Sequence, residues 1–388
     1  MLPKLSLTLN FHHPPMAGIY IHIPFCKQAC YYCDFHFSTS STYKTELVLA
    51  LQQEIRLQKN YLADETVETI YFGGGTPSLL TTEEIHRLLG VITETHVVAD
   101  GAEITLEANP DDLDRDKLKL LRDTPINRLS IGVQSFYDED LRWMNRAHRA
   151  TEAETCIKRA QDLGFENLTA DLIYGFPLLT EQKWANNIQT MMAMLVPHIS
   201  AYGITVEPKT PLASFIKNKK QPGIDDRLGA EQFEMLMETM RQNGYEHYEI
   251  SNFCKQGHYS KHNTNYWQGV KYLGIGPSAH SYNGSERSWN IANNLKYIKA
   301  IEAGKIAAET EVLTENNRLN EYIMTSLRTM WGLDLKKLDK IASAASTEVL
   351  HLAEPFFEKE WLLKKENTLY LSPKGKLYAD HIAAELFF

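Results

Sequence analysis

The sequence predicts an α/β fold: parallel strands and crossover helices wrapped into a barrel or partial barrel, followed by a mainly helical, winged-helix-like domain. Three observations predict it. Six short apolar segments, the first at 18–23 and the last at 198–204, alternate with amphipathic helical stretches, and that alternation marks parallel packing. Polar or glycine residues stand at the C-terminal end of nearly every strand: a cysteine loop, a glycine run, Glu107, Gln134, Asp171, and Thr205 with Glu207. Periodicity alone does not separate an open doubly wound sheet from a barrel, but in a barrel all these ends face one mouth and surround one ligand. Near the C-terminus, helical stretches precede a short hairpin.

The elements follow in order. Residues 18–23 alternate small or polar with apolar side chains, and Pro24 disfavours continuation as a central strand. A helix is expected over 42–59, with Leu47, Leu51 and Ile55 four apart and Ser41 or Thr42 as cap. Strand 67–72 runs into Gly73-Gly74-Gly75-Thr76-Pro77-Ser78, and helix 83–96 starts after Thr81 or Thr82. Strand 103–106 ends at Glu107-Ala-Asn109-Pro110 before helix 114–122. Strand 128–133 ends at Gln134-Ser135, with helices 138–144 and 151–163 after it. Strand 168–173 ends at Tyr174-Gly175-Phe176-Pro177, and helix 181–194 leads to strand 198–204. Apolar residues dominate these strands, as expected when both sheet faces are covered.

The chain has 388 residues, enough for two or three domains. The expected division is a tail over 1–17, the barrel over 18–208, an extension over 209–308 contributing a pocket, and the winged-helix-like domain over 309–388. A formal charge of −9 argues against a general nucleic-acid binder. No run of 18 apolar residues occurs, which excludes a transmembrane helix and leaves peripheral membrane contact open. The first 15 residues lack the apolar core and cleavage site of a signal peptide. Five cysteines, three of them clustered, fit a reducing cytoplasm.

The cluster is Cys26-Lys-Gln-Ala-Cys30-Tyr-Tyr-Cys33, a C-x3-C-x2-C spacing that lets one short loop converge three thiolates. Soft sulfur ligands suit iron–sulfur or zinc. On spacing alone three readings stay open: an iron–sulfur cluster with one open iron, a zinc site with His22 or His36 as fourth ligand, and unligated or redox cysteines. Cys156, within an amphipathic helix, and Cys254 read as lone thiols. The glycine run serves either a tight turn or a ligand's close approach, and it is no phosphate loop, since no Gly-Lys-Ser/Thr follows. Glu107 ends an apolar strand, where a carboxylate needs a salt-bridge partner or a ligand.

The cysteine loop, with Tyr32 between its second and third cysteines and Phe35 two after the third, resembles that of radical S-adenosylmethionine (SAM) enzymes. The resemblance implies a six-strand partial (β/α) barrel. It implies that Cys26, Cys30 and Cys33 hold a [4Fe-4S] cluster whose fourth iron takes the amino and carboxylate groups of SAM. It further implies that Gly74 and Gly75 face the methionine moiety and that Glu107 and Gln134 contact SAM. Arg146 would pair with its carboxylate, Asp171 would accept from the ribose hydroxyls, and Tyr20 and Tyr32 would flank the adenine and cluster.

Beyond the barrel, 209–226 looks like an exposed connection, followed by a helix over 229–242. Then comes an aromatic, polar stretch, His258-Tyr-Ser-Lys-His262-Asn263-Thr-Asn-Tyr266-Trp267, and His280 after it. On composition it is a packed surface or a pocket wall for a flat ligand; histidines beside aromatics can ligate an iron. It resembles the His-Asn-x-x-Tyr-Trp motif of the heme chaperones related to oxygen-independent coproporphyrinogen oxidase. That resemblance implies heme as bound cargo, passed to acceptor hemoproteins, with His262, Asn263, Tyr266 and Trp267 at the heme pocket and His280 as a second pocket histidine. The anaerobic oxidases themselves have C-x3-C-x2-C-x-C and a longer N-terminal segment; here Phe35 replaces the fourth cysteine and 25 residues precede Cys26. Both differences point to the chaperone branch. The alternative is a radical SAM oxidase or decarboxylase acting on coproporphyrinogen III or another bulky substrate, and whether SAM is cleaved stays open. A helix over 291–306 is expected to cross to the last domain, where helices are expected over 314–330, 334–341 and 349–364, a hairpin over 362–371, and a closing helix to Phe388. The lysines of this domain suggest DNA, but winged helices also serve as lids and docking surfaces, and the acidic chain favours that reading.

Overall fold

The structure, a computed structural model, describes residues 16–63 and 65–388; the expected tail lies almost wholly outside the described residues. The six expected strands form, in chain order, side by side and parallel: β1 Met16–Ile23, β2 Thr66–Gly74, β3 Val98–Ala108, β4 Arg128–Gln134, β5 Leu168–Tyr174 and β6 His198–Gly203. β1 and β6 do not pair with each other, so the barrel stays open. The helices between them pack apolar stripes onto the outer face. Leu47, Leu51 and Ile55 of helix Lys44–Leu57 are all fully buried, as their spacing of four dictates. Helix Thr82–Thr95 starts at a capping box, Thr81 Oγ1 accepting from the Glu84 N–H at 3.1 Å and Glu84 accepting from the Thr81 N–H at 2.7 Å.

The extension does not stand apart. Its strands supply both edges of the same 12-stranded sheet. β7 Glu246–Glu249 and β8 Asn252–Cys254 form an antiparallel hairpin, and β8 runs antiparallel to β6. β9 Lys271–Ile275 pairs in parallel with β1, making a seventh parallel strand. β10 His280–Tyr282, β11 Glu286–Asn290 and β12 Ala308–Val312 continue outward as an antiparallel meander, and β12 crosses the expected boundary at 308. Residues 286–290, next to the expected helix 291–306, are therefore strand, and the helix itself is Asn294–Glu302. Sequence alternation gives no warning of β12, whose five residues are all exposed.

The C-terminal region has its own core, built on Leu319, Ile323, Leu338, Val349, Leu369 and Ile382. A strand sequence could not resolve, β13 Leu333–Asp334, joins β14 Leu362–Lys365 and β15 Thr368–Leu371 in the order β13-β15-β14. Helices Glu315–Leu327, Leu335–Ile341 and Ala345–Glu358 precede the hairpin, which is the winged-helix order. Among the described residues no helix is long and apolar enough to cross a membrane.

Candidate functional site

The C-terminal ends of the parallel strands surround a cavity of about 550 Å³. Cys26, Cys30 and Cys33 line one side, and Tyr32, Gly74, Gly75, Glu107, Gln134, Arg146 and Asp171 line it too. Ten of the eleven residues expected at the cluster and SAM site thus reach one cavity; Tyr20 does not. Tyr20 lies deeper, its hydroxyl 3.2 Å from His22 Nδ1 and its ring stacked on Tyr71 with centroids 6.1 Å apart. The reason is depth along the strand. Tyr20 and Tyr71 are paired across β1 and β2, several residues below the strand ends.

The cysteine loop is held at several points along its length. At its root the Cys26 N–H donates to Ser38 O at 3.0 Å and the Ser38 N–H to Pro24 O at 2.8 Å. The Gly75 N–H donates to Ile23 O at 2.9 Å, and a Cβ on Gly75 would sit 2.7 Å from Phe25 O, so only glycine lets β2 approach the loop this closely. Further along, the Tyr31 N–H donates to Met144 O at 3.1 Å, Asn145 Nδ2 to Ala29 O at 2.6 Å, and Lys27 pairs with Asp111 at 2.8 Å and with Asp112. The expected exposed connection also bears on the loop. Its helix Pro211–Lys217 donates the Leu212 N–H to Tyr31 O at 2.9 Å and sets Phe215 edge-on to Tyr31, centroids 5.0 Å apart.

The three thiols are half-buried and unbridged. Burial pushes Cys26 up and Cys33 up to about 12, so neither becomes a thiolate at neutral pH without a cation beside it. Among the described residues, no three His, Cys, Asp or Glu side chains are grouped for a single metal ion.

Arg146 reaches into this site from beyond β4. Its Nη1 donates to Cys30 Sγ at 3.3 Å, and Nη2 to Asn109 Oδ1 at 2.5 Å and Gly132 O at 2.9 Å, while Nε is buried with no partner. Much of the fork expected to meet a carboxylate is therefore occupied inside the protein. Gln134 ends β4 in the left-handed region, φ +68°, after a shift in register, and its Oε1 is also buried without a partner. Two orphaned polar atoms beside one cavity are the pattern left where a ligand completes the bonding. Glu107 Oε1 accepts from the Tyr71 hydroxyl at 2.7 Å and Oε2 from the Gly74 N–H at 3.1 Å. Burial, with the Asp171 carboxyl adding to it, pushes Glu107 up to about 7. Burial likewise raises Asp171 to about 6.

Asn109 was part of the quoted Glu107-Ala-Asn109-Pro110 segment without a role; it joins Arg146 to Thr76, donating to Thr76 Oγ1 at 3.2 Å. The aromatic motif sits elsewhere. His262 is buried, its Nδ1 2.8 Å from Thr69 Oγ1, and does not line the mouth cavity. Asn263 borders a separate cavity of about 40 Å³ beneath Glu107 and Asp171. Tyr266 packs on Tyr272, centroids 5.0 Å apart, and Trp267 lies under the Arg328 guanidinium at 5.4 Å. His280 is exposed on β10 against Trp289, away from the mouth.

With this geometry in place, similarities to known proteins can be stated. Residues 20–191 match the pattern of the Radical SAM superfamily. The chain is 34% identical to the protein named heme chaperone HemW of Bacillus subtilis over 371 residues, covering 95% of this chain and 98% of that protein. It is 36% identical to the Escherichia coli protein of the same name over 270 residues, 69% of this chain and 70% of that one. Among solved structures, coproporphyrinogen III oxidase (HemN) from Escherichia coli superposes with a TM-score of 0.83 at 24% identity, over 96% of this chain and 90% of that one. This last likeness is one of fold.

Proposed function

Because this chain belongs to the radical SAM superfamily and, within it, to the HemW family, we infer that it is a heme chaperone. It binds heme, carries a [4Fe-4S] cluster on Cys26, Cys30 and Cys33, holds SAM across the barrel mouth, and hands its cargo to acceptor hemoproteins. The observation that carries the reading is the single cavity lined by the three cysteines and the expected SAM residues, with Phe35 on its rim, 67% exposed, where the oxidase pattern has a cysteine.

The residues present fit the cluster. Three half-buried thiols on one anchored loop are a soft donor set suited to an iron–sulfur centre. Arg146 donates to Cys30 Sγ and so fixes where that sulfur stands. When bound, the cluster supplies an electron to the sulfonium bond of SAM. Around it the protein's own groups orient and exclude. Gly74 and Gly75 offer backbone to the amino group, the unpartnered Gln134 Oε1 and Arg146 Nε await polar atoms, and Glu107 and Asp171 supply negative charge for a cationic ligand.

The two carboxyls make SAM affinity depend on pH. Without ligand they hold protons up to about 7 and about 6; a bound cation favours the anions, so binding releases protons at pH below those values and affinity rises with pH, reaching a plateau above about 7.5. Calorimetry on cluster-loaded protein should show roughly three- to tenfold tighter binding at about pH 7.5 than at about pH 6, with an enthalpy that depends on the buffer. A flat profile would refute this placement of Glu107 and Asp171.

The functional test is a paired anaerobic assay on one cluster-loaded preparation. Stoichiometric heme binding followed by transfer to an apo-hemoprotein, without decarboxylation of coproporphyrinogen III in the presence of SAM and reductant, is expected. Decarboxylation over multiple turnovers would replace the chaperone reading with the oxidase.

A further inference from the structure

We propose that His262 is a positioning residue for the SAM site, fixing the phenol of Tyr71 that in turn holds Glu107, and that residues 260–267 form the floor beneath that site. The proposal rests on the reading of the mouth as a SAM site.

The geometry is a short chain of contacts. The imidazole of His262 stacks on the Tyr71 ring with centroids 4.9 Å apart and planes at 26°. Tyr71 donates its hydroxyl to Glu107 at 2.7 Å, and the other oxygen of Glu107 takes the Gly74 N–H at 3.1 Å. A displacement of the Tyr71 ring therefore moves the Glu107 carboxyl and, through it, the strand end at Gly74, both of which line the cavity. Tyr20 packs beside both rings, its centroid 6.1 Å from that of Tyr71 and 6.4 Å from that of His262, and a Cβ on Gly73 would sit 2.8 Å from the Tyr20 ring and 2.9 Å from the Tyr71 ring. The phenol is packed against two rings, and His262 is the nearer of them.

His262 is itself held in place. Its Nδ1 is 2.8 Å from Thr69 Oγ1, and Glu103 of β3 accepts from the Lys261 N–H at 3.1 Å and the His262 N–H at 3.0 Å. Burial lowers its pKa to about 4, so the ring is neutral and stacks without charge. Two residues of the same segment, Ser260 and Asn263, border the small cavity whose other walls include Glu107 and Asp171. At about 40 Å³ it has room for a water bridging these polar groups.

The test compares His262→Ala, Tyr71→Phe and the double variant on cluster-loaded protein, reading SAM affinity by calorimetry across pH and hemin binding by absorbance. Each single variant should weaken SAM about tenfold, the scale of one buried hydrogen bond to a charged group, and the double should be no weaker than Tyr71→Phe alone, since both act through one phenol. Tyr71→Phe should also shift the pH at which affinity rises upward, because Glu107 loses a donor to its anion. The other groups facing Glu107 are Tyr20, Asp171 and Tyr202, all unchanged in that variant. Hemin binding should be that of the wild type. Should alanine disturb folding, His262→Asn keeps a nitrogen for Thr69 and removes only the ring face. Unchanged SAM affinity in Tyr71→Phe, additive losses in the double, or loss of hemin binding in the His262 variants would each overturn the proposal. Failure of the wild type to bind SAM would overturn it together with the site reading.

Discussion

Replacing Cys26, Cys30 and Cys33 together by alanine should take the anaerobically reconstituted protein from about four irons and four sulfides to none. The loop should survive the change. Its root on Ser38, its bond from Tyr31 to Met144, and the Asn145 and Leu212 contacts are made by backbone and neighbouring side chains, not by the thiols. The melting temperature of the metal-free variant should therefore match that of the metal-free wild type. Cys156 and Cys254 are the internal controls. Both are buried away from the mouth, Cys156 bonded to Ala153 O at 3.2 Å within helix Ala150–Asp162 and Cys254 at the end of β8. Replacing either should leave iron content unchanged. Native mass spectrometry showing one zinc and no iron after anaerobic purification would sink the cluster assignment, as would full iron retention in the triple variant.

Why the mouth was legible before the fold is a matter of what each signal depends on. Strand ends in a parallel barrel all point one way, so Glu107, Gln134 and Asp171 could be gathered from order alone, and the structure brings all three to one cavity. Helix Lys44–Leu57 was legible because burial every fourth residue is a local property. Tyr20 was misplaced for a local reason as well. It lies three residues before the end of β1, and its pleat position sends it into the barrel against Tyr71 rather than up to the rim.

The rest depended on partners distant in sequence. The antiparallel edge β10–β12 is made of short strands with little burial, so no alternation marks it, and it forms because β9 docks in parallel on β1. The aromatic motif was visible as composition, but which way His262 faces is set by Glu103, 159 residues earlier, capping its backbone, and by Thr69, 193 residues earlier, taking its ring nitrogen. The connection at 209–226 read as exposed because of its lysines, although Leu212 inside it is buried against the cysteine loop.

Replacing Glu54 by alanine should destabilise the protein by about 3 to 5 kcal/mol, the scale for breaking a buried hydrogen-bond network that leaves several groups unmet. Glu54 is fully buried on helix Lys44–Leu57, and nothing in its local sequence distinguishes it from the exposed acids of that chain. Its Oε1 accepts from Gln58 Nε2 at 2.9 Å and Asn290 Nδ2 at 2.8 Å; its Oε2 accepts from the Gly276 N–H at 2.8 Å and the Tyr297 hydroxyl. One carboxyl group thereby ties the turn after β9, the end of β11 and helix Asn294–Glu302 to the first crossover helix. Alanine leaves the Gly276 N–H and the Tyr297 hydroxyl buried without that acceptor, at about 1 to 3 kcal/mol for each unmet group, and opens a void where the side chain stood. Glutamine keeps the volume and one carbonyl acceptor but points an amide donor at groups that are themselves donors, so Glu54→Gln should fall between wild type and alanine. Urea denaturation gives the order, and hydrogen exchange should show the loss first at β9 to β11, with β3 to β5 retaining protection. A Glu54→Ala protein as stable as wild type, or one that loosens uniformly, would mean that the edge strands are held by backbone pairing alone.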